Sequence, residues 1–259
     1  MPMTLRSIAA VIVATTVGFT FLFRQEGTAQ GTAVRILVSN GMKAAMEELQ
    51  PRCERAIGHP LKLQFNSTAS LKKKIEAGEG FDVAIITSEA IGDLIKQGKL
   101  ARGSRADLGS SELGIGIRAG AAKPDIHSPE ALKRTLRDAK SITYPQDGAS
   151  RAYIEKMFER LGIAADVKNR IILAQGSGPA TESVAAGKAA LVITLFSEIV
   201  PIHGVEILGP LPGEFRSDIR FAAAASATTE NAEAAKALIT FLAGPEAAPT
   251  LKAKGLEPR

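Results

Sequence analysis

The chain has 259 residues, of which 45% are hydrophobic and 23% charged, a balance typical of a globular protein. Its net charge of +5 comes from scattered Lys and Arg, it contains no Trp, and only 5% of its residues are aromatic. Nucleic-acid binding is therefore not expected, because it needs a concentrated basic surface or aromatic side chains that stack on bases.

The N-terminal segment has the layout of an export signal. Arg6 precedes an uncharged apolar run at residues 7–23, and small residues follow at 27–29. A basic start, an apolar run and a small-residue cleavage site together indicate secretion. We predict that residues 1–29 form a signal peptide, with a retained N-terminal anchor as the alternative. In both cases the rest of the chain would work in the periplasm or elsewhere outside the cytoplasm.

Beyond residue 33, short apolar segments alternate with amphipathic helical patterns. The segments are apolar on both faces, as expected for strands buried in a parallel sheet with helices on each side. The predicted strands are 34–38, 61–65, 82–87, 113–117, 141–144, 170–174, 190–195, 205–208 and 219–224. The pattern predicts an α/β fold with two doubly wound α/β lobes joined by two crossing strands.

The order of these elements predicts where the two lobes begin and end. Residues 33–117 plus 205–259 are assigned to lobe 1, to which the C-terminus returns, and residues 118–204 to lobe 2. The cleft between such lobes faces the carboxyl ends of the strands, where open α/β sheets bind their ligands.

The sequence offers no recognisable catalytic or metal-binding motif. The three histidines, His59, His127 and His203, lie far apart, and Cys53 is the only cysteine, which excludes an intramolecular disulfide. A nucleophile elbow and a phosphate-binding loop are both missing. We therefore expect no enzyme activity, no metal and no cofactor, and we expect Cys53 to be a small packed residue.

Small polar residues recur where a predicted strand meets a helix. Such seams occur at Ser39-Asn40-Gly41, Asn66-Ser67-Thr68-Ala69-Ser70, Asp147-Gly148-Ala149-Ser150-Arg151 and Gly176-Ser177-Gly178. Each seam alone is explained by helix capping and turn chemistry. Four of them, two in each lobe, instead favour an anion site, because helix N-termini present free N–H groups and a positive dipole end.

Three stretches of the chain resemble a known family. They are "NGMKAAMEELQPRCERAIGHPLKLQFNSTASLKKKIEAGEGFDVAIIT", "ESVAAGKAALVIT" and "AEAAKALITFLAGPEAAPTLKAKG". Together they resemble the molybdate-binding proteins of ABC importers, within the type II periplasmic solute-binding proteins, over residues 34–257. The resemblance implies two lobes that close on a solute by hinge motion, and a permease partner in the membrane.

The same resemblance implies the positions of ligand contacts. The family's two lobe-1 serines fall on Gly41 and Thr68, its lobe-2 contacts near Ala149-Ser150 and Ser177, and its tyrosine on Leu195. The complete set of predicted ligand-binding residues is Ser39, Asn40, Gly41, Ser67, Thr68, Ser70, Ala149, Ser150, Arg151, Ser177 and Leu195.

Two of these positions lack the hydroxyl that the family uses, at Gly41 and Leu195. A buried oxyanion loses about 1–3 kcal/mol for each missing donor, so the solute is expected to be a small anion such as an organic acid. Arg151 could then grip a carboxylate bidentately. The predicted function is a monomeric extracytoplasmic solute-binding protein that delivers this anion to an ABC permease. The alternatives are binding of molybdate or tungstate itself, or a membrane-anchored sensor of the same fold.

Overall fold

The structure, a computed structural model, describes residues 32–259. The predicted signal or anchor at residues 1–29 lies outside this range. The strands are β1 (Val34–Ser39), β2 (Leu61–Asn66), β3 (Val83–Thr87), β4 (Ala106–Arg118), β5 (Ile142–Pro145), β6 (Ile171–Ala174), β7 (Leu191–Leu195), β8 (Val205–Pro210), β9 (Asp218–Ala225) and β10 (Glu257–Pro258). All nine predicted strands are present.

The helices lie between these strands as the apolar stripes predict. They are α1 (Lys43–Ile57), α2 (Thr68–Glu76), α3 (Ser88–Lys96), α4 (Pro129–Asp138), α5 (Arg151–Arg160), α6 (Ala164–Val167), α7 (Ser177–Ala185), α8 (Phe196–Ile199), α9 (Ala232–Ala243) and α10 (Ala248–Ala253). A 3-10 turn at Asn40–Met42 leads into α1. None of the helices within residues 32–259 has the length and apolar character needed to cross a bilayer.

One continuous mixed sheet runs through the molecule in the order β2-β1-β3-β9-β4-β7-β5-β6. At one end β1 is parallel to β2 and β3, and at the other end β5 is parallel to β6 and β7. In the middle, β9 is antiparallel to β3 and β4, and β4 is antiparallel to β7. The fold is thus α/β with two parallel halves joined through antiparallel crossing strands, as predicted.

The long strand β4 passes from one half of the sheet to the other. Its residues 106–112 pair with β9, whereas its residues 113–118 pair with β7 and β8. This pairing favours boundaries that differ from the predicted ones, which placed residues 113–117 and β8 in lobe 1. We propose residues 34–112 plus 218–259 as lobe 1 and residues 113–210 as lobe 2, and we use these names below.

Both faces of the lobe-1 sheet are covered by helices. Ile36 and Val38 of β1 belong to the same apolar cluster as Met46 and Leu49 of α1. The alternate residue Leu37 points to the other face, where it joins Leu71 of α2. This alternation is the period-2 geometry of a strand buried on both sides. Cys53 is 0% exposed within the α1 cluster, which confirms that it is a packed residue.

Candidate functional site

The two lobe-1 seams come together at the carboxyl ends of β1 and β2. The Thr68 hydroxyl donates a hydrogen bond to Ser39 Oγ at 3.1 Å, and both residues are buried. The Thr87 backbone N–H donates to Thr68 Oγ1 at 3.4 Å. A contact between residues 29 apart in sequence is what parallel pairing of β1 with β2 produces. The hydroxyls of Ser39 and Thr68 therefore form one polar site rather than two separate helix caps.

Ser67 and Ser70 serve mainly as the cap of α2. Ser67 Oγ accepts a hydrogen bond from the Ser70 N–H at 3.2 Å and donates one to Ser70 Oγ at 3.0 Å. This is the N-cap arrangement expected where a Ser precedes a helix. For these two residues the structure gives a structural role, and their contact with a solute stays a prediction.

Gly41 lies where the ring of Phe221 leaves no room for a side chain. A Cβ at Gly41 would fall 3.2 Å from the Cε1 and Cε2 atoms of Phe221 and still nearer to Cζ. Phe221 is 1% exposed on β9, one of the two crossing strands. The absence of a hydroxyl at position 41 is therefore linked to the buried Phe221 ring, which fills the space that a side chain there would need. The neighbouring Asn40 lines a cavity.

The lobe-2 seam at residues 147–151 divides into different roles. Ser150 is 2% exposed and precedes α5, but its side chain makes no capping hydrogen bond. Ala149 is exposed and lines a cavity. Arg151 donates from Nε to Glu155 Oε1 at 2.8 Å and from Nη1 to the Gln146 carbonyl at 2.6 Å. Its guanidinium therefore already uses two of its five N–H groups within lobe 2, which leaves the other three for a solute carboxylate.

The remaining lobe-2 residues surround a carboxyl group that the sequence patterns do not reveal. The Thr194 hydroxyl donates to Glu198 Oε2, and the Ser177 side chain and the Leu195 backbone also bond to the carboxyl of Glu198. Burial raises the pKa of the Glu198 carboxyl and Asp147 adds to this, whereas the three hydrogen bonds oppose it. Leu195 thus contributes its backbone, not a side-chain hydroxyl, and its side chain is buried.

Two cavities lie along the boundary between the lobes. We call the first, of about 470 Å³, the Glu198 cavity; it is lined from lobe 1 by Asn40, Lys43 and Phe65 and from lobe 2 by Ser177, Ser197 and Glu198, among others. The second, of about 680 Å³, is the Thr68 cavity, lined by Thr68, Ser88 and Arg220 from lobe 1 and by Asp147, Gly148 and Ala149 from lobe 2. The predicted seams of both lobes therefore face one another across these two spaces.

The two cationic side chains that line the Thr68 cavity already have acidic partners. Lys72 Nζ lies 2.9 Å from Asp93, and Arg220 Nε lies 3.6 Å from Asp218. The Asp93 ion pair raises the pKa of Lys72 and lowers that of Asp93. Both pairs are partly exposed, so a solute anion could compete for either cation.

The start of α8 is fixed to the other lobe by a small polar residue. Ser111 of β4 is 1% exposed; its Oγ accepts the Ser197 N–H at 3.0 Å and donates to the Gly255 carbonyl at 2.9 Å. Gly255 has φ +77°, and a Cβ there would lie 2.9 Å from the Phe196 carbonyl oxygen. This close backbone approach requires glycine. Ser197 and Glu198 are therefore held at a set position relative to lobe 1.

The sequence patterns missed four residues of this region, namely Ser111, Ser197, Glu198 and Phe221. Ser197 and Glu198 directly follow the predicted strand at 190–195, so the same strand-to-helix rule could have found them. Ser111 and Phe221 act across the two crossing strands, which no local pattern reveals. Within residues 32–259, no cluster of three or more side chains could hold a metal ion.

The fold and the opposed seams define a solute-binding protein. The family described as "Bacterial extracellular solute-binding protein" matches residues 34–257, and the chain belongs to this family. Among curated proteins, the aconitate isomerase of a Pseudomonas species is 31% identical over 88% of both chains. The molybdate-binding protein ModA of Azotobacter vinelandii is 25% identical over 88% of this chain and 90% of its own.

Solved structures agree on the fold. The sulfate-binding protein SubI of Mycobacterium tuberculosis superimposes with a TM-score of 0.71 at 18% identity, over 88% of this chain and 87% of its own. The resemblance to type II periplasmic solute-binding proteins is thereby confirmed.

Proposed function

We propose that the protein captures a small organic anion between its lobes, outside the cytoplasm, and passes it to a membrane permease. The observation that carries this proposal is the pair of opposed cavity walls, which combine Asn40 and Thr68 from lobe 1 with Ser177 and Ala149 from lobe 2. The helices α1, α2, α5 and α7 begin at these walls, so their N-terminal dipole ends favour a negative charge.

An organic acid is favoured over a tetrahedral oxyanion because of Gly41 and Leu195. Neither residue supplies a side-chain hydroxyl, and the Phe221 ring occupies the space that a side chain at Gly41 would need. Each lost donor costs a buried oxyanion about 1–3 kcal/mol. The aconitate isomerase relative makes unsaturated tricarboxylates the first compounds to test.

A panel of ligands separates these possibilities. Thermal-shift and calorimetric titrations of the mature protein would compare cis-aconitate, trans-aconitate, citrate, molybdate, tungstate and sulfate. We expect the tricarboxylates to raise the melting midpoint most. Tight binding of molybdate or tungstate alone would favour the oxyanion alternative, and no shift with any compound would contradict the proposal.

Two substitutions test whether the solute binds in the cleft between the lobes. Thr68→Ala and Asn40→Ala should each weaken binding about 5- to 100-fold, since each removes a polar group of the cleft wall worth roughly 1–3 kcal/mol. Thr135→Ala is the control, because the Thr135 hydroxyl bonds to the Asp125 carbonyl away from both cavities. If the affinity were unchanged in both cleft variants, the polar residues of the lobe-1 seams would serve only as helix caps and not as ligand contacts.

The mode of delivery needs a separate experiment. Mass spectrometry of the exported protein would determine its N-terminus: cleavage near residue 29 supports a soluble receptor, whereas an intact Met1 supports a membrane-anchored sensor. Reconstituted uptake with a candidate ABC permease from the same organism would test the transport step. Light scattering would test whether the protein is the expected monomer.

A second candidate function is isomerisation of an unsaturated polycarboxylic acid. A specific observation favours it: Glu198 is one of the residues that line a cavity between the lobes, and burial raises the pKa of its carboxyl. The relative named aconitate isomerase supports testing this activity. The prediction that the protein is not an enzyme stays a prediction until cis-aconitate has been incubated with it.

A further inference from the structure

Glu198 and Ser197 are adjacent residues that both line the Glu198 cavity. Ser197 is 4% exposed, and its Oγ has no hydrogen-bond partner among the residues that the structure describes. A buried hydroxyl without a partner is rare and costs about 1–3 kcal/mol. A ligand oxygen in the cavity would satisfy it.

The carboxyl of Glu198 is positioned from several elements. Thr194 of β7 and Ser177 of α7 bond to it, and so does the Leu195 backbone. The Glu198 carbonyl in turn accepts the Thr181 hydroxyl at 3.1 Å, and Ser111 holds the preceding residue. Contacts of this kind fix the orientation of the carboxyl group, and proton transfer to or from a substrate carbon requires such a fixed orientation.

We infer that Glu198 is the acid–base residue that removes a proton from, and returns it to, the carbon skeleton of a bound unsaturated polycarboxylate, while the Ser197 hydroxyl donates a hydrogen bond to one of its carboxylates. The inference rests on the proposed function, since the solute must first bind between the lobes.

The step is balanced with propene-1,2,3-tricarboxylate as substrate. The Glu198 carboxylate takes a proton from the methylene carbon, and the electrons of that C–H bond form a new double bond to the central carbon. The electrons of the old double bond take the proton back from Glu198 at the former vinyl carbon. The skeleton has the same constitution after this shift, so the product differs only in double-bond geometry. No oxidant, reductant or second substrate is needed.

The electrostatics of the cavity are compatible with this role. Burial raises the pKa of the Glu198 carboxyl, and the three hydrogen bonds oppose this rise. Lys43 on α1 lines the cavity and can balance negative charge on the substrate. Glu47 and Glu182 also face the cavity, but both are exposed and screened by water.

The test compares Glu198→Gln with wild type, and Glu159→Gln is the control because Glu159 is an exposed carboxylate on α5 away from both cavities. Calorimetry with tricarballylate, the saturated analogue that lacks an allylic proton, measures binding. Proton NMR of cis-aconitate in D2O measures isomerisation and deuterium uptake at the methylene. We expect Glu198→Gln to slow both at least 100-fold while its affinity for tricarballylate changes less than threefold. Glu159→Gln should match wild type.

The outcomes separate the inference from the proposed function. Tricarballylate binding without isomerisation or deuterium uptake by wild type overturns the inference and leaves the proposed function intact. Isomerisation by Glu198→Gln at the wild-type rate also overturns the inference. Failure of every carboxylate to bind contradicts the proposed function itself.

A second variant keeps the inference testable if Glu198→Gln does not fold. Thr194→Val removes a hydrogen bond that lowers the pKa of Glu198, so the rise of kcat/KM with pH should move to higher pH. The other charged groups around the carboxyl are Lys43, Glu47, Asp147 and Glu182, and this variant leaves them all in place. An unchanged pH profile would overturn the role of Glu198.

Discussion

At the scale of single residues, Gly41 and Phe221 form a pair in which each limits the other. Gly41→Ser should lower the free energy of unfolding by about 1–3 kcal/mol, the usual cost of overpacking a filled core. The new Cβ would overlap the Phe221 ring, which is 1% exposed. Urea unfolding followed by circular dichroism measures this change.

Two further variants show whether the effect is steric. Gly41→Ala should cost about as much as Gly41→Ser, because the first side-chain carbon causes the overlap. In the Phe221→Leu background, Gly41→Ser should cost less, giving a favourable coupling in the double-mutant cycle. If Gly41→Ser were as stable as wild type, the ring would not be what excludes a side chain here.

Asp82 is a second residue whose role depends on distant partners. It is 2% exposed; its Oδ2 accepts the Arg35 N–H at 2.7 Å and its Oδ1 accepts the Thr229 hydroxyl at 2.6 Å. Burial raises the pKa of Asp82, but these bonds, with one from Asn231, outweigh it and hold the pKa below its ordinary value.

Because the folded-state pKa of Asp82 is lowered, its contribution to stability is present above the unfolded pKa of about 4 and is lost as pH falls further. Asp82→Asn should cost roughly 1.5–3 kcal/mol at pH 7 and should reduce the loss of stability between pH 4 and 3. Urea titrations over this range measure both effects. Asp138→Asn is the control, since Asp138 is an exposed carboxylate at the C-terminal end of α4. If the free energy of unfolding fell equally steeply between pH 4 and 3 in Asp82→Asn and in wild type, this role of Asp82 would be contradicted.

The sequence predicts some of these residues and not others, for a physical reason. Ser39, Asn40, Thr68 and Ser177 lie at the end of a strand or within three residues after it, and the strand-to-helix rule places them at the lobe boundary. Whether a hydroxyl there caps a helix, as in Ser67, or faces a cavity depends on side-chain direction. Phe221 and Arg151 depend on contacts across the sheet or within a loop, which composition and spacing do not encode.

At the scale of elements, the start of α8 depends on one hydroxyl of β4. Ser111→Ala would leave both the Ser197 N–H and the Gly255 carbonyl without their partner. We expect a loss of about 1–3 kcal/mol of stability, together with faster hydrogen exchange at residues 196–199. Mass-spectrometric hydrogen exchange measures this local effect directly.

Ser110→Ala is the control for that experiment. Ser110 is the neighbouring residue of β4, is only partly buried, and pairs with β9 in the same ladder. Its substitution should leave exchange at residues 196–199 unchanged. If Ser111→Ala also left it unchanged, α8 would be held by its packing alone.

The elements themselves were largely predictable because most are buried on both faces and read as apolar runs. The exceptions are the two-residue strand β10, which was not predicted, and β4, which extends from residue 106 although only 113–117 were predicted. Residues 106–112 include Asp107, Ser111 and Glu112, whose polar side chains interrupt the apolar pattern. Each of these side chains has a tertiary partner: Arg259, Gly255 and Arg216, respectively. Such partners become visible only in the folded chain.

At the scale of the whole molecule, the chain passes between the two halves of the sheet twice, along β4 and between β8 and β9. β4 pairs with β9 up to residue 112 and with β7 from residue 113. β9 lies between β4 and β3 of lobe 1. Few backbone connections therefore resist a rotation of one lobe against the other. Hinge motion of this kind closes many two-lobed proteins around their ligands.

We expect cis-aconitate at about 100 times its Kd to raise the free energy of unfolding by about 2.7 kcal/mol, and to reduce the radius of gyration measured by X-ray scattering. Both effects have one cause, since a ligand held by Asn40 and Ser177 at once bridges the two lobes. The same addition to an Asn40→Ala/Thr68→Ala double variant should leave the radius unchanged. Binding to the wild type without a change in radius would mean that the lobes are already closed in the free protein, so that affinity comes from a preformed site and not from hinge motion.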